Sequence, residues 1–386
     1  MKKLIFTTYL TIFSIFCYGQ KIDTINIKSE VFGTNRQLII YTPFDYQDNT
    51  KQNFEVIYVL DAQVHFMTEQ VISTNFFVGK SFFSPIVVGI VSEDRGKDFL
   101  PKNNFKETFD KKQGHLGEAD QLLNFLKNEA IPQIDKNYRT LPTKVILGHS
   151  LGGTFVSYCF LNSPELFDGY IAISPNFEYD KFQFVKRFDS LKVSNINETK
   201  FLYICNANEE IDFSNDWKIG REKVIQRLKK ADLVSKVKFI NEDFSKTDNH
   251  ETVYPTGVKN GLMGFFNYYH NAEKLTKLYE NQNKLGKYEL TPERTNYMAY
   301  NFLWSHKPKE ALKVIQWANK LFPNDLTIYD SMGEIYQENN DTLNAIKTYN
   351  LFRQKLESQK DKMTKEKYNE LKAGVENRIK NVSARK

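Results

Sequence analysis

The chain has 386 residues, 41% of them apolar and 26% charged, enough for a sizeable core and for two or three domains. The formal charge of +6 is modest. Its basic excess in residues 271–386 is interspersed with Glu and Asp, as on solvated helix faces, which argues against a nucleic-acid binder. Only three cysteines occur. Cys159 and Cys205 sit in apolar runs where a buried free thiol is expected, so no disulfide framework is called for.

Lys2 and Lys3 precede the apolar run Leu4–Phe16, and Cys17-Tyr18-Gly19 offers small residues before Gln20. This is the pattern of a secretory leader over residues 1–19. The run is too short to span a bilayer, which takes about 20 residues. The bulk of Phe16 argues against lipid attachment at Cys17. A soluble exported protein, periplasmic or secreted, with no membrane span is therefore expected.

Strand-like runs at Thr24–Val31 and Arg36–Tyr41 flank Gly33-Thr34-Asn35, a hairpin-type turn. Phe54–Leu60 and residues 86–91 are apolar enough for buried central strands. Residues 92–117 form a long polar connection of the kind that lies over functional sites. Asp120–Tyr138 has helical spacing, with Pro132 expected to kink or end it. Buried strands recur at 144–149, Gly169–Ser174 and Lys200–Cys205, with a last short one at Val237–Ile240. Strands alternating with helices predict an α/β fold with a mainly parallel central sheet over residues 20–270.

The informative stretch is Gly148-His149-Ser150-Leu151-Gly152, between an apolar strand and a helical pattern. A G-x-S-x-G sequence at a strand-to-helix corner is a nucleophile elbow. The turn is strained, so Gly148 and Gly152 are expected where a Cβ would strike neighbouring backbone. The Leu151 amide, at the helix N-terminus, would donate to an oxyanion. A second donor is expected from Ala62 or Gln63, after strand Phe54–Leu60. A serine hydroxyl needs a base. Of six histidines, His250 stands after the last strand, where this fold carries its base, and His149 should pack away from the nucleophile. The acid should follow Phe201–Cys205, where Glu209, Glu210 and Asp212 are available; Glu209 stands at the usual short distance.

Residues 271–386 contain no strand-like run. Ala311 and Ala345 are 34 residues apart, the period of a tetratricopeptide repeat, and Pro323 falls at that repeat's proline position. In this register Ala299 matches Gly333, Phe302 matches Tyr336 and Ile315 matches Tyr349, although Glu357 replaces the second proline. Two degenerate repeats are few for independent stability, so an all-α appendage docked on the catalytic domain is expected, with a protein partner as the other use. Trp304, Trp317, Phe322 and Tyr336 are expected at the contact or in the repeats' core.

These stretches carry a resemblance. Val59-Leu60-Asp61, Arg95 with Asp98-Phe99-Leu100-Pro101, Ile131-Pro132 with Tyr138-Arg139-Thr140, Gly148–Gly153, and His250 leading to Tyr254-Pro255 resemble the esterase D-like family of α/β-hydrolases. That family includes enterochelin esterases, feruloyl esterases and S-formylglutathione hydrolases. The resemblance spans about residues 25–270 and leaves out the tail. It implies Ser150 as nucleophile, His250 as base, an acid at the Glu209 position, and neither metal nor cofactor. Family members often have Gly where Ala62 stands, so the oxyanion loop departs from the pattern. The function expected is hydrolysis of a small-molecule carboxylic ester, a siderophore, aryl or carbohydrate ester, with acyl transfer by the same triad as the rival.

Overall fold

Among the described residues eight strands form one sheet, in the order Ile22–Lys28, Asn35–Tyr41, Ile86–Ile90, Phe54–Leu60, Thr140–His149, Gly169–Ile173, Lys200–Asn206 and Val237–Asp243. The computed structural model describes residues 21–384 apart from 44–45, 48–49, 79–84, 104–116, 190, 192–193, 195, 210–214, 231–232 and 234. The proposed leader, residues 1–19, lies outside the described residues.

The strands are β1 (Ile22–Lys28), β2 (Asn35–Tyr41), β3 (Phe54–Leu60), β4 (Ile86–Ile90), β5 (Thr140–His149), β6 (Gly169–Ile173), β7 (Lys200–Asn206) and β8 (Val237–Asp243). The first two form an antiparallel hairpin that joins β4, also antiparallel. All further pairings are parallel. Strands β3, β4, β6 and β7 are buried along their whole length, as the continuous apolar runs require when helices cover both faces. The β8 strand runs three residues beyond its apolar stretch, because Asn241, Glu242 and Asp243 continue the ladder with Ile204, Cys205 and Asn206. Register with a neighbour extended this strand where side-chain hydrophobicity could not.

One face of the sheet is covered by α1 (His65–Val78) and α8 (Val253–Tyr269), which contribute Val71, Val258 and Leu262 to its core. The other face carries α5 (Leu151–Asn162), α6 (Gln183–Asp189) and α7 (Asn215–Leu228), through Phe155, Phe188 and Val224. Pro132 does not end its helix. A π turn at Leu126–Ala130 separates α3 (Ala119–Phe125) from α4 (Ile131–Asn137), which has Pro132 in its first turn. The widened turn lets the chain continue past a residue that has no amide proton and whose ring crowds the preceding turn. Part of the 92–117 connection is also ordered: α2 (Arg95–Phe99) is capped by Asp94, which accepts from the Lys97 amide at 3.1 Å. Residues 104–116 of this connection lie outside the described residues.

From Ala272 onward the described residues are helical: α9 (Ala272–Lys284), α10 (Pro292–Trp304), α11 (Pro308–Leu321), α12 (Leu326–Glu338), α13 (Thr342–Ser358) and α14 (Lys365–Ser383). Five of these begin at an Asn, Thr or Asp whose side chain accepts an amide of the first turn: Asn271, Thr291, Asp325, Asp341 and Thr364. The 34-residue offset separates Pro292 from Leu326 and Pro308 from Thr342, the starts of successive hairpins. Ala311 and Ala345 are both fully buried. Trp317, Phe322 and Tyr336 pack at the edge of the core. Trp304 does not: it is 56% exposed and lies edge-on to Tyr297 and tilted against Tyr300. Met298, Ala299 and Phe302 occupy the buried stripe of α10, and Tyr297, Tyr300 and Trp304 lie on another stripe of the same helix.

Only His270 and Asn271 separate α8 from α9. His270 is buried, and its Nε2 lies 2.6 Å from the Glu55 carboxylate on β3. The apolar cluster on the α1/α8 face continues through Leu275, Tyr279 and Tyr288 into the helical hairpins. Residues 20–270 alone would leave that cluster cut open. They are expected to melt below the full chain or to aggregate, as thermal denaturation of both would show. An unchanged melting temperature would mean that the tail adds nothing to the common core.

Candidate active site

The β5 strand ends at His149 and α5 starts at Leu151, so Ser150 alone makes the corner. Its φ of 58° and ψ of −120° are strained for a residue with a Cβ. The Ser150 amide donates to the Ile173 carbonyl at 2.9 Å, and its carbonyl accepts from the Thr154 amide at 3.0 Å, which pins the turn. A Cβ at Gly148 would come 2.6 Å from the Gly152 backbone, so only glycine fits there. Gly152 differs from expectation, since a Cβ on it would meet ordinary contacts at 3.4–3.5 Å. The second constrained glycine is Gly153, whose Cβ would lie 2.9 Å from the Ile173 carbonyl. The helix must approach β6 this closely for the elbow to form.

His250 is 3% exposed and lies on the loop between β8 and α8. That loop is stitched to the β7 exit: Asn208 and Asn249 form a parallel bridge, and the Asn208 amide donates to the Asp248 carbonyl at 2.9 Å. The Asn249 side chain accepts the amides of Glu251 and Thr252, closing the turn. The imidazole packs against the His149 ring, with centroids 4.6 Å apart, and against the edge of Trp217. His149 thus turns toward the base rather than merely away from the nucleophile, and its Nε2 bonds the His250 carbonyl at 2.9 Å. Burial, aided by the charges of His250 and Arg95, pulls the His149 pKa down to about 3, although its bond to the His250 carbonyl opposes this. His149 is therefore neutral near pH 7 and its Nε2–H is the donor.

Glu209 is buried, and three groups hold its carboxylate. Oε1 accepts from the Ala207 amide at 2.8 Å and the Ser174 hydroxyl at 2.5 Å, and Oε2 accepts from Arg221 at 3.1 Å. The same Ser174 hydroxyl lies 3.0 Å from His250 Nδ1. The structure therefore brings Ser150, His250 and Glu209 to one end of the sheet. Glu210 and Asp212 lie outside the described residues. Neither Ser174 nor Arg221 is a candidate in the sequence, where Ser174 reads as the end of the buried strand Gly169–Ser174; the strand itself stops at Ile173.

The loop after β3 requires a correction. The Ala62 amide donates to the Ile90 carbonyl at 3.0 Å, so it is spent on the edge of the sheet and is not a free oxyanion donor. Gln63 remains, with Leu151. The Gln63 side chain is braced on both ends, donating to Asp61 at 2.9 Å and accepting the Ser92 amide at 2.9 Å. Asp61 is itself buried with a φ of 64° and takes a two-point hold from Arg95 at 2.7 and 3.1 Å. Helix α2 that delivers Arg95 is anchored by Asp98, buried against Arg36 and Ser92. The Asp61–Arg95 pair thus holds the loop after β3 beside the elbow.

A hydroxyl on a strained elbow after β5, a buried carboxylate after β7 and a buried imidazole after β8, all at the carboxyl ends of one parallel sheet, define an α/β-hydrolase. A family model described as "Putative esterase" matches residues 29–251, and the chain belongs to that family. The ferri-bacillibactin esterase BesA of Bacillus subtilis is 31% identical over 151 residues, 35% of this chain and 52% of that protein. The match therefore spans about half of that relative's length. Among solved structures, an IroE-like serine hydrolase from Shewanella oneidensis aligns with a TM-score of 0.62 at 19% identity, covering 78% of this chain and all of that one. The BES protein of Bacillus cereus aligns at 0.54 with 23% identity, covering 68% of this chain and 97% of that one. At such identities these structures establish the shared fold.

His149 also makes a pH prediction. Its folded pKa, near 3, is below the ordinary 6.5, so the unfolded chain binds the extra proton between those values. Its contribution is fully present above pH 6.5 and is lost on acidification. Between pH 6.5 and 5 the loss should be about 1–2 kcal/mol. Denaturant titrations of wild type and His149→Gln, which keeps a donor, should show a flatter dependence for the variant. Parallel curves would contradict the neutral buried imidazole.

Proposed function

We propose that the chain hydrolyses the ester bonds of an iron-chelating siderophore through an acyl-enzyme on Ser150. The observation that carries this reading is the placement of Ser150, Glu209 and His250 just past the carboxyl ends of β5, β7 and β8 in one parallel sheet, with Glu209 and His250 both bonded to Ser174. In the first step Ser150 Oγ attacks the ester carbonyl carbon while His250 takes the hydroxyl proton. The tetrahedral oxyanion is held by the amides of Leu151 and Gln63. Collapse breaks the bond to the alcohol oxygen, which receives the proton from His250 and leaves. Water then enters, gives a proton to His250 and adds to the acyl carbon; collapse returns the proton to Ser150 and frees the acid. Glu209 favours the cationic imidazole that each half-reaction forms.

The substrate class rests on the relatives' names, which include a ferri-bacillibactin esterase and a siderophore hydrolase, EstA of Aspergillus nidulans, with a TM-score of 0.55. It agrees with the partly exposed Arg95 beside the elbow, a cation suited to an anionic, aromatic chelate. Export remains part of the proposal and rests on the leader-like residues 1–19. The helical tail is read as a tetratricopeptide-like unit docked on the catalytic domain. Its Tyr297–Tyr300–Trp304 stripe supports the second reading, in which the tail also receives a protein partner.

Ser150→Ala should lower kcat by a factor on the order of 10⁴–10⁶ with folding unchanged. A fluorophosphonate should label the wild type once, at Ser150. In a panel of ferric catecholate esters, aryl esters and carbohydrate esters, the first class should show the highest kcat/KM. A preference for another class would overturn the substrate assignment. Products carrying an added alcohol in place of water would mark the enzyme as an acyltransferase.

A further inference from the structure

We infer that Ser174 is a positioning residue that links Glu209 to His250 and sets the tautomer of the base. The inference deepens the proposed hydrolase mechanism and rests on it. One hydroxyl stands between the two groups, with Oγ 2.5 Å from Glu209 Oε1 and 3.0 Å from His250 Nδ1. All three residues are buried.

The direction of the two bonds follows from proton inventory. An ionised carboxylate has no proton to give, so the Ser174 hydroxyl must donate to Glu209. Its remaining lone pairs can only accept, so the group at 3.0 Å must be a donor. His250 Nδ1 therefore carries the proton, which makes Nε2 the basic nitrogen of the neutral ring. A carboxylate in direct contact with an imidazole achieves the same end with one bond fewer. Here it acts through a hydroxyl, and Arg221 and the Ala207 amide fix the carboxylate on its other sides.

Backbone geometry supports a functional reason for this serine. Ser174 has a φ of 43°, a region that residues with a Cβ rarely enter. It also precedes Pro175, which normally drives its neighbour toward extended conformations. Strain of this kind persists where surrounding structure over-determines it. The Ser174 amide bonds the Cys205 carbonyl at 2.9 Å, holding the residue between the β6 and β7 exits. Glycine would meet the backbone requirement at lower cost. A serine there supplies the hydroxyl.

The test uses full-length Ser174→Ala and Ser174→Gly, the second of which suits the positive φ and so guards against misfolding. Each should lower kcat/KM by a factor of about 10–100. The acidic limb of the pH profile should move down by about half to one unit, because the imidazolium loses its link to the carboxylate. Glu209→Gln should be costly in wild type yet cost little more in either Ser174 variant, since both changes break one chain. Wild-type rate and pH profile in both Ser174 variants, or a Glu209→Gln loss as large in their background as in wild type, would overturn the relay. Either result can stand with Ser150 still labelled by fluorophosphonate, and then the relay alone fails. Labelling of another serine would overturn the hydrolase assignment and the relay with it.

Discussion

Parallel register across β5, β6 and β7 is the constraint on which the site depends. His149 pairs with Ile173, and Ile173 pairs with Cys205, so the three strands leave the sheet side by side. The next residues are Ser150, Ser174 and Asn206, spaced by the roughly 4.8 Å between neighbouring strands. Backbone bonds from Ser150 to Ile173 and from Ser174 to Cys205 extend this order one residue past the pleated region. The Asn208–Asn249 bridge then carries it to the His250 loop. A slip of one residue at any of these pairings would turn the functional side chains to the wrong face. The closely packed Gly148 and Gly153 allow α5 to start within this ladder.

Buried carboxylates around the site are each matched by an arginine: Glu209 by Arg221 and Asp98 by Arg36, both buried, and Asp61 by the partly exposed Arg95. Desolvation makes such pairs weak sources of stability, but losing one partner strands the other. Their value lies in orientation. Arg221 fixes the Glu209 carboxylate, and Arg95 fixes Asp61 and with it the loop that carries Gln63. Arg36 holds the helix on which Arg95 stands. Three ion pairs thus aim groups that would otherwise have several rotamers.

Where a residue's role follows from its own chemistry, the sequence was readable. The continuous apolar runs of β3, β4 and β7 required a two-sided sheet, and Gly148 ahead of Ser150 required a tight corner. The Asn, Thr and Asp caps of the tail helices are similarly local. Roles that depend on distant neighbours were not readable. Ala62 and Gln63 are equal candidates by sequence, because nothing near Ala62 reveals that the Ile90 carbonyl claims its amide. Trp304 looked like a core residue from its side chain, yet its helix turns it outward. Ser174 and Arg221 gain meaning through a carboxylate 35 and 12 residues away, respectively. A Ser-Pro pair at a strand exit is a common turn, and an arginine in an amphipathic helix is ordinary.

The central claim is a covalent acyl-enzyme on Ser150, and its most direct test is mass spectrometry of the enzyme quenched during turnover of an activated aryl ester. The account predicts a single added acyl group, mapped by digestion to the peptide containing Gly148–Gly153, that disappears as substrate is exhausted. Acylation at a different residue would contradict it, as would ester cleavage with no acyl adduct under conditions where deacylation is slower than acylation.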